Sequence, residues 1–175
     1  MAPPAARSLG RALRQFVAPP ALTLTALACP AVPGATTSAT PDPLVERGRY
    51  LIVVGGCNEC HTPGYVEAGG RLAEADWLTG TDIGWQGPWG TTYPANLRRF
   101  IAALSEDEWV HYARHVVTRP PMGWFVLNAL SESDARAIYR FVQGLGVAGE
   151  PAPPYAMPGV AVDTPVIRFP DAPAE

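Results

Sequence analysis

The stretch Cys57-Asn58-Glu59-Cys60-His61 decides how the rest of the chain is read. Two cysteines separated by two residues, with a histidine directly after, form the attachment sequence for c-type haem. The spacing has a physical basis. Two intervening residues let both sulfurs reach the two vinyl-derived carbons on one edge of the ring, and His61 then falls beneath the iron. Its Nε2 coordinates from the proximal side, while Nδ1–H donates to a backbone carbonyl that fixes the tautomer and ring orientation. One covalent haem c, held by Cys57, Cys60 and His61, is therefore the expected cofactor. Three other chemistries share parts of the pattern. A thioredoxin-like thiol pair sits at a helix start beside a βαβ unit, and the sequence carries no such unit. A zinc site needs further ligands, and only His111 and His115, four apart, remain to supply them. A structural disulfide leaves His61 unexplained.

The ligand opposite His61 separates an electron carrier from a haem enzyme with an open iron site. After the initiator the chain has two methionines, Met122 and Met157. Met122 lies in Pro120-Pro121-Met122-Gly123-Trp124, where prolines stiffen the loop and Gly123 allows close backbone approach. Its thioether is a soft donor that favours Fe(II) and raises the potential. The alternative is that Met122 fills a core gap. Met157, in a proline-rich tail, is the poorer candidate, and His111 and His115 read as surface or core residues.

Upstream of the motif, residues 42 to 52 read as a helix, with Asp42 as N-cap and Pro43 at the first helical position. Leu44, Tyr50, Leu51 and Val54 are expected on its inner face, and Gly55-Gly56 ends it. Residues 62–100 are rich in glycine and read as loops, yet they hold Trp77, Trp85, Trp89 and Tyr93. These rings pack either on a haem face or as a satellite cluster. Two capped helices follow. Ser105-Glu106-Asp107-Glu108 is a capping box, with Trp109, Tyr112, Ala113 and Val116 at helical spacing until Pro120-Pro121. Ser131 opens the other, whose apolar stripe is Ala135, Ile138, Tyr139, Val142 and Leu145, with Gly144 and Gly146 terminating it. Residues 148–175 carry seven prolines and read as a disordered tail or, on the apolar content of Val160 to Phe169, as an extended strap.

The N-terminal 28 residues read as an export signal: Arg7, Arg11 and Arg14, a short apolar stretch from Phe16, and small residues at Ala26 and Ala28, with a second cleavage site ending at Ala35. Residues 29–41 are a linker. Cys29 follows Ala28 directly, so a lipid-modified cysteine or an uncleaved signal are two routes to a membrane tether. All 13 basic residues are arginine. Without the three in the leader, 10 face 16 acidic residues, a net charge of −6. That balance argues against nucleic-acid binding. No apolar run is long enough for a strong transmembrane span.

The chain resembles the class I (mitochondrial-type) bacterial cytochromes c over residues 42–147. The likeness rests on Gly48-Arg49-Tyr50, Cys57 to Thr62, Tyr93-Pro94-Ala95-Asn96-Leu97, the Pro-Met-Gly loop and Ile138-Tyr139. A weaker similarity, through Arg47 to Leu51 and Trp89 to Leu97, is to cytochrome subunits of periplasmic dehydrogenases. The first resemblance implies an all-α cytochrome c fold, three to five helices around one covalent haem, with the proline-rich extension added. It implies that the first and last helices cross at Gly48 and Tyr139, and that a proline-loop carbonyl, here Pro94's, accepts from His61. The expected function is periplasmic single-electron transfer by a protein that is not itself an enzyme. A dehydrogenase's electron-accepting subunit and a haem enzyme are the alternatives. Donor and acceptor would be redox proteins such as a dehydrogenase, an oxidase or a cytochrome complex. With no lysine, docking is steered to basic or neutral surfaces.

Overall fold

The computed structural model describes residues 42–170. The expected signal, the linker with Cys29, and residues 171–175 lie outside the described residues.

Helix α1 (Pro43–Val54) starts where its cap predicts, with Asp42 Oδ1 accepting from the Leu44 amide at 2.9 Å. Its buried face differs from the expected one. Gly48 and Ile52 are buried and Val45 and Leu51 pack on the core, whereas Tyr50 and Val54 are 54% and 58% exposed. Gly48 sets this phase, because it is where α1 crosses helix α6 (Glu132–Leu145). A Cβ at Gly48 would lie 2.0 Å from the Ala137 carbonyl oxygen and 2.8 Å from Phe141 Cβ. The crossing therefore uses the expected glycine, but the aromatic beside it is Phe141. Tyr139 is half-buried and turns away to donate its hydroxyl to the Leu104 carbonyl at 2.9 Å. The two residues stand two apart on the helix, so they point to different sides of it. Helix α6 begins at its Ser131 cap and runs through Gly144, ending at Gly146.

Between these lie α2 (Cys57–His61), a 3-10 turn (Glu74–Asp76), α3 (Leu97–Ala102), α4 (Glu106–His115) and α5 (Trp124–Asn128). Trp109 Nε1 donates to the Ala135 carbonyl at 2.8 Å and fastens α4 to α6. The predicted capping box is present. Glu108 accepts from the hydroxyl and the amide of Ser105, each at 2.7 Å, and these bonds hold its carboxyl below the usual carboxylate range. Their contribution is complete above that range and is lost as pH falls through the depressed value. We expect Ser105→Ala to cost ~1 kcal/mol and to shrink the acid-side loss of stability, read by urea unfolding at pH 7 and pH 4. An unchanged acid limb would refute the box as its source.

Residues 62–100 are not all loop. Strands β1 (Gly84–Gly87) and β2 (Gly90–Thr92) pair antiparallel, and β3 (Val166–Arg168) adds parallel to β1. An all-α expectation lacks this small sheet. It exists because the tail is a strap. Thr91 bridges to Ala156, Tyr93 shares a 2.6 Å hydrogen bond with Thr164, and Phe169 packs against Trp85 and Trp89 with ring centroids 5.7 and 5.2 Å away. Trp77 instead joins the main core with Ile52, Leu78, Ile101, Trp109 and Phe141. No helix among the described residues is long and apolar enough to cross a membrane.

Candidate cofactor site

The site starts from the turn between α1 and α2. Gly55 caps α1, and Gly56 adopts a φ of 68°, which a side chain resists. That turn sets α2 directly against the end of α1. Cys57 and Cys60 are three residues apart on α2, so they share one face. Both are free thiols and partly buried. Burial pushes the Cys57 thiol up to about 11 and raises that of Cys60 as well, with Glu59 adding to the effect. Reactive thiol pairs are depressed instead, which argues against the thioredoxin-like alternative.

His61 is 8% exposed. Its Nδ1 lies 2.7 Å from the Ala95 carbonyl oxygen. A carbonyl only accepts, so Nδ1 carries the proton and Nε2 keeps its lone pair. Burial lowers the imidazole's proton affinity and keeps it neutral, as a metal ligand must be. The tie expected from Pro94 thus comes from the next residue. The Pro94 carbonyl is engaged by the Thr81 amide at 3.2 Å. Two further groups brace the motif. Gly80 N–H donates to the His61 carbonyl at 2.8 Å. Leu78 N–H donates to Thr62 Oγ1, which donates to Asn58 Oδ1, at 2.8 and 2.7 Å. Leu78 is fully buried with a φ of 61°. Such a conformation in a non-glycine residue persists only where the surroundings over-determine it. Asn58 Nδ2, also buried, has no partner among the described residues.

Met122 follows the cis Pro120–Pro121 bond in the loop between α4 and α5 and is 36% exposed. The loop is anchored. Thr92 Oγ1 donates to the Pro120 carbonyl at 2.8 Å, and the Met122 carbonyl accepts from Trp124 N–H at 3.0 Å. Around it Val117, Phe125 and Val126 are at least half exposed, as is Val54 ahead of the cysteines. So much bare apolar surface on so few elements is what a large apolar ligand would cover. Met157 stands 66% exposed in the strap. His111 and His115 stack with ring centroids 4.4 Å apart, and His115 Nδ1 bonds to the His111 carbonyl. Among the described residues no group of three or more His, Cys, Asp or Glu could hold a metal ion.

The residues present fit a covalently attached haem: paired free thiols, a neutral imidazole with Nε2 available, and a thioether on a separate anchored loop. Sequence reasoning missed Ala95, whose role depends on loop geometry. It also missed Arg98, a buried residue of α3 that holds carbonyls of Ala75, Leu145 and Gly146.

Comparison with known proteins adds one finding. The gluconate 2-dehydrogenase cytochrome c subunit of Pantoea cypripedii is 30% identical over 122 residues, covering 62% of this chain and 28% of that protein. The chain thus spans under a third of the length of the curated relative it matches. No family model and no solved structure matches.

Proposed function

We propose that the chain is a mono-haem c-type cytochrome, exported to the periplasm, that carries single electrons between redox proteins. Residues 42–147 would form the cytochrome c domain, built around one haem c bonded to Cys57 and Cys60 and ligated by His61 and Met122. The observation that carries this reading is the 2.7 Å bond from His61 Nδ1 to the Ala95 carbonyl. It orients a neutral imidazole on the same short helix as two free thiols. When bound, a haem held by Cys57, Cys60, His61 and Met122 would supply the one-electron Fe(II)/Fe(III) chemistry. The two thiols fix the ring to the chain. Ala95 raises the basicity of the His61 ligand through its bond to Nδ1. Met122 offers a soft sulfur that favours the reduced iron.

A denaturing gel stained for covalent haem tests the proposal directly. A band is expected, and it is expected to vanish in the Cys57→Ser, Cys60→Ser double variant. An unstained native chain ends the reading. Met122→Ala is expected to bind carbon monoxide rapidly in the reduced state and to lower the midpoint potential. Rapid carbon monoxide binding by the native protein, or an unchanged spectrum in the variant, would remove Met122 as the ligand and favour an open iron site.

A second reading, the electron-accepting cytochrome subunit of a dehydrogenase complex, is favoured by the likeness to the gluconate 2-dehydrogenase subunit. Co-sedimentation of the native chain with a dehydrogenase activity would select it over a free carrier.

A further inference from the structure

We infer that the strap after α6 is a positioning element for His61 and acts through Asn96, an inference that rests on the haem reading above. His61 is held at two points, its ring by the Ala95 carbonyl and its backbone by the Gly80 amide. Both partners lie in loops rather than in helices or strands. A loop carbonyl is only as fixed as the contacts behind it.

Those contacts come from the strap. Asn96, 4% exposed, uses both ends of its amide. Its Oδ1 caps α3 by accepting from the Arg99 amide at 3.0 Å. Its Nδ2 donates to the carbonyls of Ala148 and Glu150 at 2.8 and 3.1 Å. The Arg99 guanidinium adds a bond to the Gly149 carbonyl at 3.1 Å. Gly149 has a φ of 70°, and a Cβ there would lie 3.1 Å from both Asn96 Nδ2 and Thr79 Cβ. The strap therefore lies flat on both loops that grip His61. Gly80 is as tightly placed, since a Cβ on it would be 2.7 Å from the Asn96 nitrogen and 2.9 Å from the Ala95 carbonyl carbon. Strap, Thr79–Gly80 and Ala95–Asn96 make one packed stack behind the imidazole. Two open clefts, of about 360 and 330 Å³, share Pro151, Ala152 and Pro153. One borders Ala95 and Asn96 and the other Thr79 and Gly80, so lifting the strap would wet both loops at once. A partner on the far side of a ligand histidine sets its orientation and basicity, and the strap sets that partner.

The test uses the full haem-loaded chain. Asn96→Ser keeps an uncharged N-cap but is too short to reach Ala148 and Glu150. Gly149→Val leaves Asn96 intact and forces the strap away, because a β-branched residue at this φ is strained and has no room. In both variants the His61 Nδ1–H is expected to exchange with solvent about tenfold faster by NMR, equivalent to ~1.4 kcal/mol of lost restraint. The midpoint potential is expected to rise, since a less well bonded imidazole donates less to Fe(III). Tyr155→Phe, which removes only a hydroxyl bond to the Trp89 carbonyl further along the strap, is expected to change neither. An unchanged exchange rate or potential in either of the first two variants overturns the inference. So do unchanged NMR shifts of the Ala148 and Glu150 carbonyl carbons in Asn96→Ser. If the native chain carries no covalent haem the functional reading fails instead, and the stained gel reports that before any variant is made.

Discussion

Gly48→Ala is expected to destabilise the protein by about 3 kcal/mol or more, read as a collapse of the denaturant midpoint followed by far-UV circular dichroism. At an exposed position inside a helix the same change would stabilise by ~1 kcal/mol. The sign reverses here because the new methyl would sit 2.0 Å from the Ala137 carbonyl oxygen. That atom is backbone, so no rotamer change relieves the overlap; α1 and α6 must separate. Shaving the neighbouring side chain is accordingly expected not to help, and Gly48→Ala with Phe141→Ala should be less stable than either alone. A single variant as stable as the native protein would show that the two helices do not approach this closely. Against a total stability of about 5–15 kcal/mol, the loss is large enough to abolish folding in a marginal domain.

Arg98→Met is expected to cost about 4 kcal/mol. Arg98 is 6% exposed, and its guanidinium has no carboxylate partner among the described residues. It donates instead to the Ala75 carbonyl at 2.6 Å and to those of Leu145 and Gly146. The last two lie at the C-terminal end of α6, where a cation also meets the negative end of the helix dipole. Methionine fills the same space yet leaves three carbonyls without a donor, each costing about 1–3 kcal/mol when dry. Arg98→Lys separates charge from geometry. A single ammonium cannot span carbonyls from two segments as a planar fork does, so roughly half the loss should remain. Thermal unfolding of both variants decides the matter, and a lysine variant equal to the native protein would reduce the role of Arg98 to its charge.

The helices were legible where a side chain marked their ends. Asp42, Ser105 and Ser131 each cap the helix that the sequence assigns to them. These signals are local, and local signals survive without knowledge of the fold. The buried face of α1 was not legible, because a glycine contributes nothing to an apolar pattern and here the glycine decides the phase. Tyr139 and Phe141 are equivalent as sequence; only the crossing of α1 on α6 distinguishes them. The sheet was hidden for a different reason. Gly84–Gly87 and Gly90–Thr92 are too short and too rich in glycine to read as strands, and the partner that stabilises them comes from the tail. Within the candidate site, Cys57, Cys60 and His61 stand out in the sequence because the attachment proposed for them depends on local spacing. Ala95 and Arg98 were not, since a backbone carbonyl carries no sequence signal and one arginine beside another gives no hint of burial.

The parallel pairing of β3 with β1 also orders events in time. Gln86 and Arg168, which meet across it, are 82 residues apart in the chain. Closing so long a loop is entropically costly and is repaid only once both surfaces exist. The described residues from Ala148 onward contain no helix, so their order depends on the hairpin and the α3 cap on which they lie. Pairing of β3 is therefore expected to be a late event in folding. Were a haem bonded to Cys57 and Cys60 as proposed, it would have to enter before the last segment closed behind His61 if that segment blocks its path.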